Sequence, residues 1–105
     1  MIAIPITSET AEEALIDIKK ANEKADVIEL RLDFLCEVNE SLLGELLQHC
    51  NKPVIVTFRG KNHGACVEQT ERMFLLRKAI EYGAAFIDLD FDADKDFFEE
   101  FTHSK

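Results

Sequence analysis

Four short apolar segments alternate with amphipathic helical patterns along this chain, and that alternation limits the possible folds more than any other feature. Each segment is rich in Ile, Val, Leu or Phe and short enough for a β-strand; the four are residues 2–6, 26–33, 53–59 and 85–91. Between them the apolar residues recur with the period of an α-helix. The order βαβαβαβα predicts a parallel sheet with right-handed crossovers.

The ends of the expected helices carry capping signals. Thr10 and Glu13 have the spacing of a capping box at the start of the first helix, and Asn39 or Ser41 is the expected N-cap of the second. Gly83 is expected to end the third helix, because glycine adopts the left-handed conformation of a C-cap without strain. A fourth helix is predicted near the C-terminus from three phenylalanines, Phe97, Phe98 and Phe101.

A parallel sheet of four βα units can close in two ways. One is a small doubly wound sheet, and the other is half of a (β/α)8 barrel. A whole barrel needs about 250 residues, and the 105 residues here match about half of that length. With no linker or low-complexity tract in view, the chain is expected to form a single α/β domain over residues 1–105.

Charge and cysteine content argue against several function classes. The net charge of -9 repels phosphate backbones and anionic lipid, so neither nucleic acid nor membrane is an expected partner. No apolar run approaches the ~18 residues of a membrane span, and the first residues lack the basic region of a signal peptide. Cys36, Cys50 and Cys66 form no C-x-x-C pair and are expected to be reduced thiols of a cytoplasmic protein. No metal site is expected, since the His63–Cys66 and His49–Cys50 pairs lack partners at zinc spacing.

Charged residues stand near the C-terminal ends of three predicted strands, although a covered strand is normally apolar. Glu29, Arg31 and Asp33 alternate along one face of the second strand. Arg59 ends the third strand, and Asp88 lies on the fourth. For the second strand alone, an edge position or a space-filling Glu29–Arg31 pair competes with a ligand site at the strand ends. Repetition over three strands favours the ligand site.

The residue types at these positions suit a small anionic ligand. Arg31 and Arg59 are candidates to bind a carboxylate, because a guanidinium fork matches its two oxygens. Glu29 would orient one of them or accept hydrogen bonds from hydroxyl groups. In the loop after the third strand, His63 is a candidate general acid or base; the alternative is a solvent-exposed histidine without a role.

The segments VIELRLDFL, KPVIVTFR and YGAAFIDLDFD together resemble the N-terminal half of type I 3-dehydroquinate dehydratases. The resemblance implies half of a (β/α)8 TIM barrel and a lyase of the shikimate pathway of aromatic amino acid biosynthesis. That lyase dehydrates 3-dehydroquinate to 3-dehydroshikimate through a Schiff base and needs no cofactor. At matching positions the resemblance implies substrate binding by Glu29, Arg31 and Arg59, with Asp33 and Asp88 in a supporting polar network.

Two departures from the family pattern change what this chain is expected to do. Many family members carry Glu followed by Gly-Gly where this chain has His63, Gly64 and Ala65. The Schiff-base Lys and the general-base His of the family lie on later strands, and Lys61 has no counterpart there. The chain is therefore expected to bind substrate but to be inactive alone, as a natural short form, a split-gene product or a truncated chain.

An isolated half-barrel would leave its first and fourth strands unpaired and one sheet face uncovered. A homodimer, or a separate C-terminal half that completes the barrel, is therefore expected, with a small-molecule carboxylate as the ligand. Two other hypotheses stay open. One is a non-catalytic binding or regulatory module for a polyhydroxy carboxylate, and the other is a non-functional remnant whose charged strands persist.

Overall fold

The computed structural model describes residues 1–59 and 68–88 of the chain. Its strands are β1 (Ala3–Ile6), β2 (Val27–Arg31), β3 (Val54–Thr57) and β4 (Phe86–Asp88). Its α-helices are α1 (Ala11–Lys24), α2 (Glu40–His49) and α3 (Gln69–Glu81), and a short 3-10 turn, Leu32–Phe34, follows β2. The predicted alternation is confirmed over these residues, and the predicted fourth helix lies outside them.

The four strands form one parallel sheet in the order β1-β2-β3-β4. Successive strands are neighbours and α2 contacts both α1 and α3, so the helices lie in one layer on one face of the sheet, as crossovers of one hand require. In that layer α1 packs on β1 and β2, α2 contacts both other helices, and α3 packs on β4. A doubly wound sheet would reverse its strand order and carry helices on both faces. The partial (β/α)8-barrel prediction is therefore confirmed, and the doubly wound alternative is wrong.

The core fills the space between the helix layer and the sheet. Alternate strand residues point towards the helices and are buried, as the period of two along a strand requires. Buried residues of this core include Ile28, Leu30, Val54 and Val56 of the sheet and Ile18, Leu43, Leu46, Leu75 and Leu76 of the helices. Among residues 1–59 and 68–88, no helix is long and apolar enough to cross a membrane.

The opposite side of the sheet, which we call the open face, has no covering layer within the described residues. The strand register places two mostly apolar rows of side chains on this face. The first row is Ala3 and Val27, and the second is Pro5, Glu29, Ile55 and Phe86. Phe86 lies in the second row and is 66% exposed, which is a large fraction for an aromatic residue of a β-strand. In a closed barrel this face would point inward and would be filled by side chains.

Capping follows the sequence signals. Thr10 caps α1 and accepts a hydrogen bond from the backbone N–H of Glu13 at 3.2 Å. Asn39, rather than Ser41, caps α2. Gly83 follows α3 with φ of 102°, a conformation that costs glycine little and other residues more.

Two strands end earlier than predicted. β2 stops at Arg31, and Asp33 belongs to the 3-10 turn. The period of two that placed Asp33 on one face with Glu29 and Arg31 therefore fails after Arg31, because the chain turns there. β3 likewise ends at Thr57, so Arg59 lies two residues beyond the last paired residue.

Candidate functional site

Polar side chains form a row across three strand ends on the open face. Arg31 of β2, Thr57 of β3 and Asp88 of β4 are successive register partners. Partners at one level of a parallel sheet point to the same side, so these three project together. Glu29 lies two residues earlier on β2, and its Oε2 accepts a hydrogen bond from the Thr57 hydroxyl at 2.9 Å. The row is thus connected to a carboxylate in the level below.

Arg31 is fixed by its neighbour in the 3-10 turn. Its Nε donates to Oδ1 of Asp33 at 3.2 Å and its Nη2 donates to Oδ2 at 2.8 Å. The side chain of Asp33 is 1% exposed and that of Arg31 is 21% exposed. The guanidinium carbon also lies 4.9 Å from the centre of the Phe34 ring, within cation–π range. Arg31 therefore has one orientation set by two contacts.

The electrostatic surroundings keep Arg31 charged. Its hydrogen bonds with Asp33 raise the pKa of Arg31, against the opposing effect of partial burial. The negative charges of Asp33, Glu29 and Asp88 act in the same raising direction. A permanently cationic group in a fixed position is suited to hold an anion.

The second cation of the site is Arg59, just after β3. Its Nη2 lies 2.7 Å from Oδ2 of Asp88, and the two side chains are 43% and 39% exposed. Asp88 also acts on the pKa of Arg31. Arg31 and Asp88 are on either side of Thr57 at one level of the sheet, so both guanidinium groups lie at the same edge of the sheet.

These contacts rule out the two structural explanations considered for β2. The strand lies between β1 and β3, so it is not an edge strand. Glu29 bonds with Thr57, and Arg31 bonds with Asp33, so the alternative of a space-filling Glu29–Arg31 pair is wrong. The reason is geometric: the 3-10 turn returns the Asp33 carboxylate to the guanidinium.

The pairing with Asp33 leaves part of Arg31 available. That pair occupies Nε and one hydrogen of Nη2, and within the described ranges Arg31 has no other hydrogen-bond partner. The Nη1 amino group and the second Nη2 hydrogen therefore form another fork, of the geometry that pairs with a carboxylate.

Sequence reasoning missed one buried cation beside this site. Arg72 of α3 is 1% exposed, and its Nη1 donates to the carbonyl oxygen of Phe58 at 2.7 Å. The available signal was the helical period, since Arg72 precedes Leu75 and Leu76 by three and four residues and so shares their buried stripe. His63 lies outside the described residues. In the part of the chain that the structure describes, no three His, Cys, Asp or Glu side chains are grouped to hold a metal.

The fold and the polar edge together place this chain in the class of partial (β/α)8 barrels. In (β/α)8 barrels, ligands bind at the carboxyl ends of the strands. The sequence model of the type I 3-dehydroquinase family matches residues 2–105. This chain therefore belongs to the type I 3-dehydroquinase family, and the resemblance noted in its strand segments is confirmed.

Several curated relatives carry the name 3-dehydroquinate dehydratase. The chain is 34% identical over 97 residues to the protein of Methanococcus vannielii and 33% identical over 97 residues to that of Methanocaldococcus jannaschii. It is 30% identical over 109 residues to the chloroplastic bifunctional 3-dehydroquinate dehydratase/shikimate dehydrogenase of Arabidopsis thaliana.

The coverage of these matches is unequal. The two archaeal matches cover 90% of this chain and 43% of each relative, and the plant match covers 100% of this chain and 18% of the relative. The chain thus spans less than half the length of the curated relatives it matches. No solved structure matches the chain.

Proposed function

We propose that this chain provides the carboxylate-binding half of a 3-dehydroquinate dehydratase site in the shikimate pathway. Arg31 and Arg59 bind the substrate carboxylate, and Glu29 accepts hydrogen bonds from substrate hydroxyl groups. Asp33 and Asp88 orient the two guanidinium groups. The observation that carries the proposal is the placement of both arginines at the carboxyl edge of one open sheet face, Arg31 level with Thr57 and Asp88, and Arg59 paired with Asp88.

The two arginines contribute differently to binding. Arg31 is oriented by Asp33 and offers its second fork without breaking that pair. Arg59 is bound to Asp88 through Nη2 only, and both side chains are more than a third exposed. A surface pair of this kind is weak, so Arg59 can turn towards an arriving carboxylate at little cost.

We do not assign the covalent step of the Schiff-base mechanism to this chain. In the Schiff-base mechanism a lysine forms an imine with the substrate ketone, and the imine withdraws electrons as the adjacent carbon loses a proton. A histidine transfers the protons as water leaves. Neither group has a match at family positions in this chain, so we expect binding without turnover.

The partner we propose is a C-terminal (βα)4 half that completes the barrel. The open face with its exposed Phe86 and the free edge of β1 support this. A groove of about 330 Å³ follows that edge, lined mainly by Ile4, Ile6, Asp17, Lys20 and Lys24. A further strand and helix would pack at this place in a closed barrel. A second copy of this chain is the alternative occupant.

A cytoplasmic location belongs to the same proposal. Cys36 and Cys50 are free thiols, and Cys36 is exposed. Exposed free thiols persist in reducing compartments and are oxidised elsewhere. Recovery of the native protein from the cell's soluble cytoplasmic fraction, with its thiols unoxidised, is the expected result; recovery with an oxidised Cys36 would contradict it.

Calorimetry with quinate, a polyhydroxy carboxylate, tests the binding role. Arg31→Met and Arg59→Met are each expected to weaken binding by about tenfold or more, since a charge-assisted pair is lost. Arg77→Met, at an exposed position on α3, is the matched control and should bind as the wild type does. Binding that survives both site substitutions would refute the assignment. A borohydride-trapped adduct with 3-dehydroquinate on this chain alone would refute the absence of covalent chemistry.

Co-expression with the C-terminal half of the Methanocaldococcus jannaschii relative tests the partner. We expect a one-to-one complex with dehydratase activity when the half is present. A stable homodimer with protected β1 and β4 amides would replace that partner by a second copy. Quinate binding by a chain that associates with neither would favour the non-catalytic binding module instead.

A further inference from the structure

Arg72 carries a charge at a buried position within an apolar stripe of α3. It stands in the first turn of α3 and is 1% exposed. A buried guanidinium loses its hydration, and a cation in the first turn opposes the helix dipole. An apolar residue in line with Leu75 and Leu76 would avoid both costs. The position therefore points to a specific task for the guanidinium.

One hydrogen bond of Arg72 reaches the chain just after β3, beside the candidate site. Nη1 of Arg72 donates to the carbonyl oxygen of Phe58 at 2.7 Å. That carbonyl is part of the peptide bond between Phe58 and Arg59, and a peptide unit is planar. A fixed direction of the Phe58 carbonyl therefore fixes the plane of the Phe58–Arg59 peptide, and with it the position of the Arg59 backbone nitrogen.

Among residues 1–59 and 68–88, the sheet gives Phe58 no paired residue. The last pair of the β3–β4 ladder in these ranges is Thr57 with Asp88, one residue before Phe58. The Phe58 side chain is 1% exposed and packs in the core, so it anchors one side of the link. Arg72 anchors the other side, and Arg59 then reaches Asp88 on the open face.

We propose that Arg72 is a positioning residue for Arg59: it orients the Phe58–Arg59 peptide so that the Arg59 guanidinium stays at the polar edge of the sheet. Arg72 does not touch the ligand. Its effect on ligand affinity rests on the proposed function, because it acts only through Arg59. The effect of Arg72 on the mobility of the Arg59 side chain does not involve a ligand and can be measured without one.

A double-substitution cycle with quinate tests the first effect. Arg72→Met is expected to weaken quinate binding about tenfold in calorimetry, and Arg77→Met on the same helix should change nothing. In an Arg59→Met background, Arg72→Met should produce no further loss. A loss of equal size in both backgrounds would show a general structural effect and overturn the proposal.

Nuclear magnetic resonance of the arginine Nε–Hε groups tests the second effect without ligand. The heteronuclear NOE of Arg59 is expected to fall in Arg72→Met, while that of Arg31, fixed by Asp33, stays unchanged. An unchanged NOE for Arg59 would overturn the proposal.

Two further controls distinguish a failure of the Arg72 proposal from a failure of the variant to fold and from a failure of the proposed function. If Arg72→Met does not fold, Arg72→Lys retains a charge and a donor with different geometry and should show a partial loss for Arg59 alone. A loss shared by Arg31 would mean general loosening and would overturn the proposal. If the wild type does not bind quinate, the proposed function fails, and the NOE of Arg59 still decides the role of Arg72.

Discussion

Two arginine–aspartate pairs in this chain share their chemistry and differ in burial, which allows a stability prediction with an internal control. In the first pair the side chains of Arg31 and Asp33 are 21% and 1% exposed. In the second pair those of Arg59 and Asp88 are 43% and 39% exposed. Replacement of each aspartate by asparagine keeps the shape and removes the charge.

The expected losses of unfolding free energy follow from these exposures. Breaking a fully buried pair costs about 3–5 kcal/mol, because the remaining charge is left without its partner. A hydrogen bond to a charged group contributes about 1.5–3 kcal/mol. Since water reaches part of Arg31, we expect Asp33→Asn to lower the free energy of unfolding by about 2 kcal/mol. Asp88→Asn should cost no more than about 1 kcal/mol, as for exposed ion pairs.

Urea denaturation followed by circular dichroism measures both losses. The two variants should unfold with the slope of the wild type, so that a change in midpoint reports stability alone. Measurements at two protein concentrations separate the effect from any burial of Asp88 by assembly. Equal losses, or a greater loss in Asp88→Asn, would refute the reasoning that burial of Asp33 determines the strength of its pair.

Two further predictions concern single titrating groups. Tyr82 is the sole tyrosine of the chain, and its hydrogen bond to Glu40 raises the pKa of Tyr82. The contribution of this hydrogen bond to folding stability is therefore complete at lower pH and is lost as the pH rises through the pKa of Tyr82 in the folded state. Absorbance titration of Tyr82 should give a midpoint above 10, and that midpoint should fall in Glu40→Gln. A midpoint unchanged by the substitution would contradict the role of Glu40. Burial raises the pKa of Cys50 to about 11. In a Cys66→Ser chain, exposed Cys36 should react with a disulfide reagent at pH near 8 while Cys50 reacts far more slowly; equal rates would contradict its burial.

The sequence was sufficient for the order of elements, for the starts of α1 and α2 and for the end of α3. Strand and helix periods differ, so the alternation of the two was visible without any tertiary contact. Thr10 and Gly83 act through hydrogen bonds within a few residues, and such local signals can be read directly. The sequence left helices on one face or on both faces of the sheet open, and the strand order of the structure decided between them.

The sequence was not sufficient for the pairing of charges. The alternation of LRLD continues through Asp33, and only the turn after Arg31 brings that carboxylate back to the guanidinium. Glu29 finds its partner on another strand, Thr57, through the register of β2 with β3. Such partners depend on where backbones meet in space, which a local pattern does not encode. Arg72 differs, because its place in an apolar stripe was visible and only its target was not.

The central claim is that Arg31 and Arg59 bind one and the same carboxylate. Titration of the chain with quinate, followed through the Nε–Hε resonances of both arginines, tests this directly. We predict that the two resonances move along one saturation curve with a common dissociation constant, while that of exposed Arg77 stays in place. Movement of only one resonance, two different dissociation constants, or no movement of either would contradict the claim.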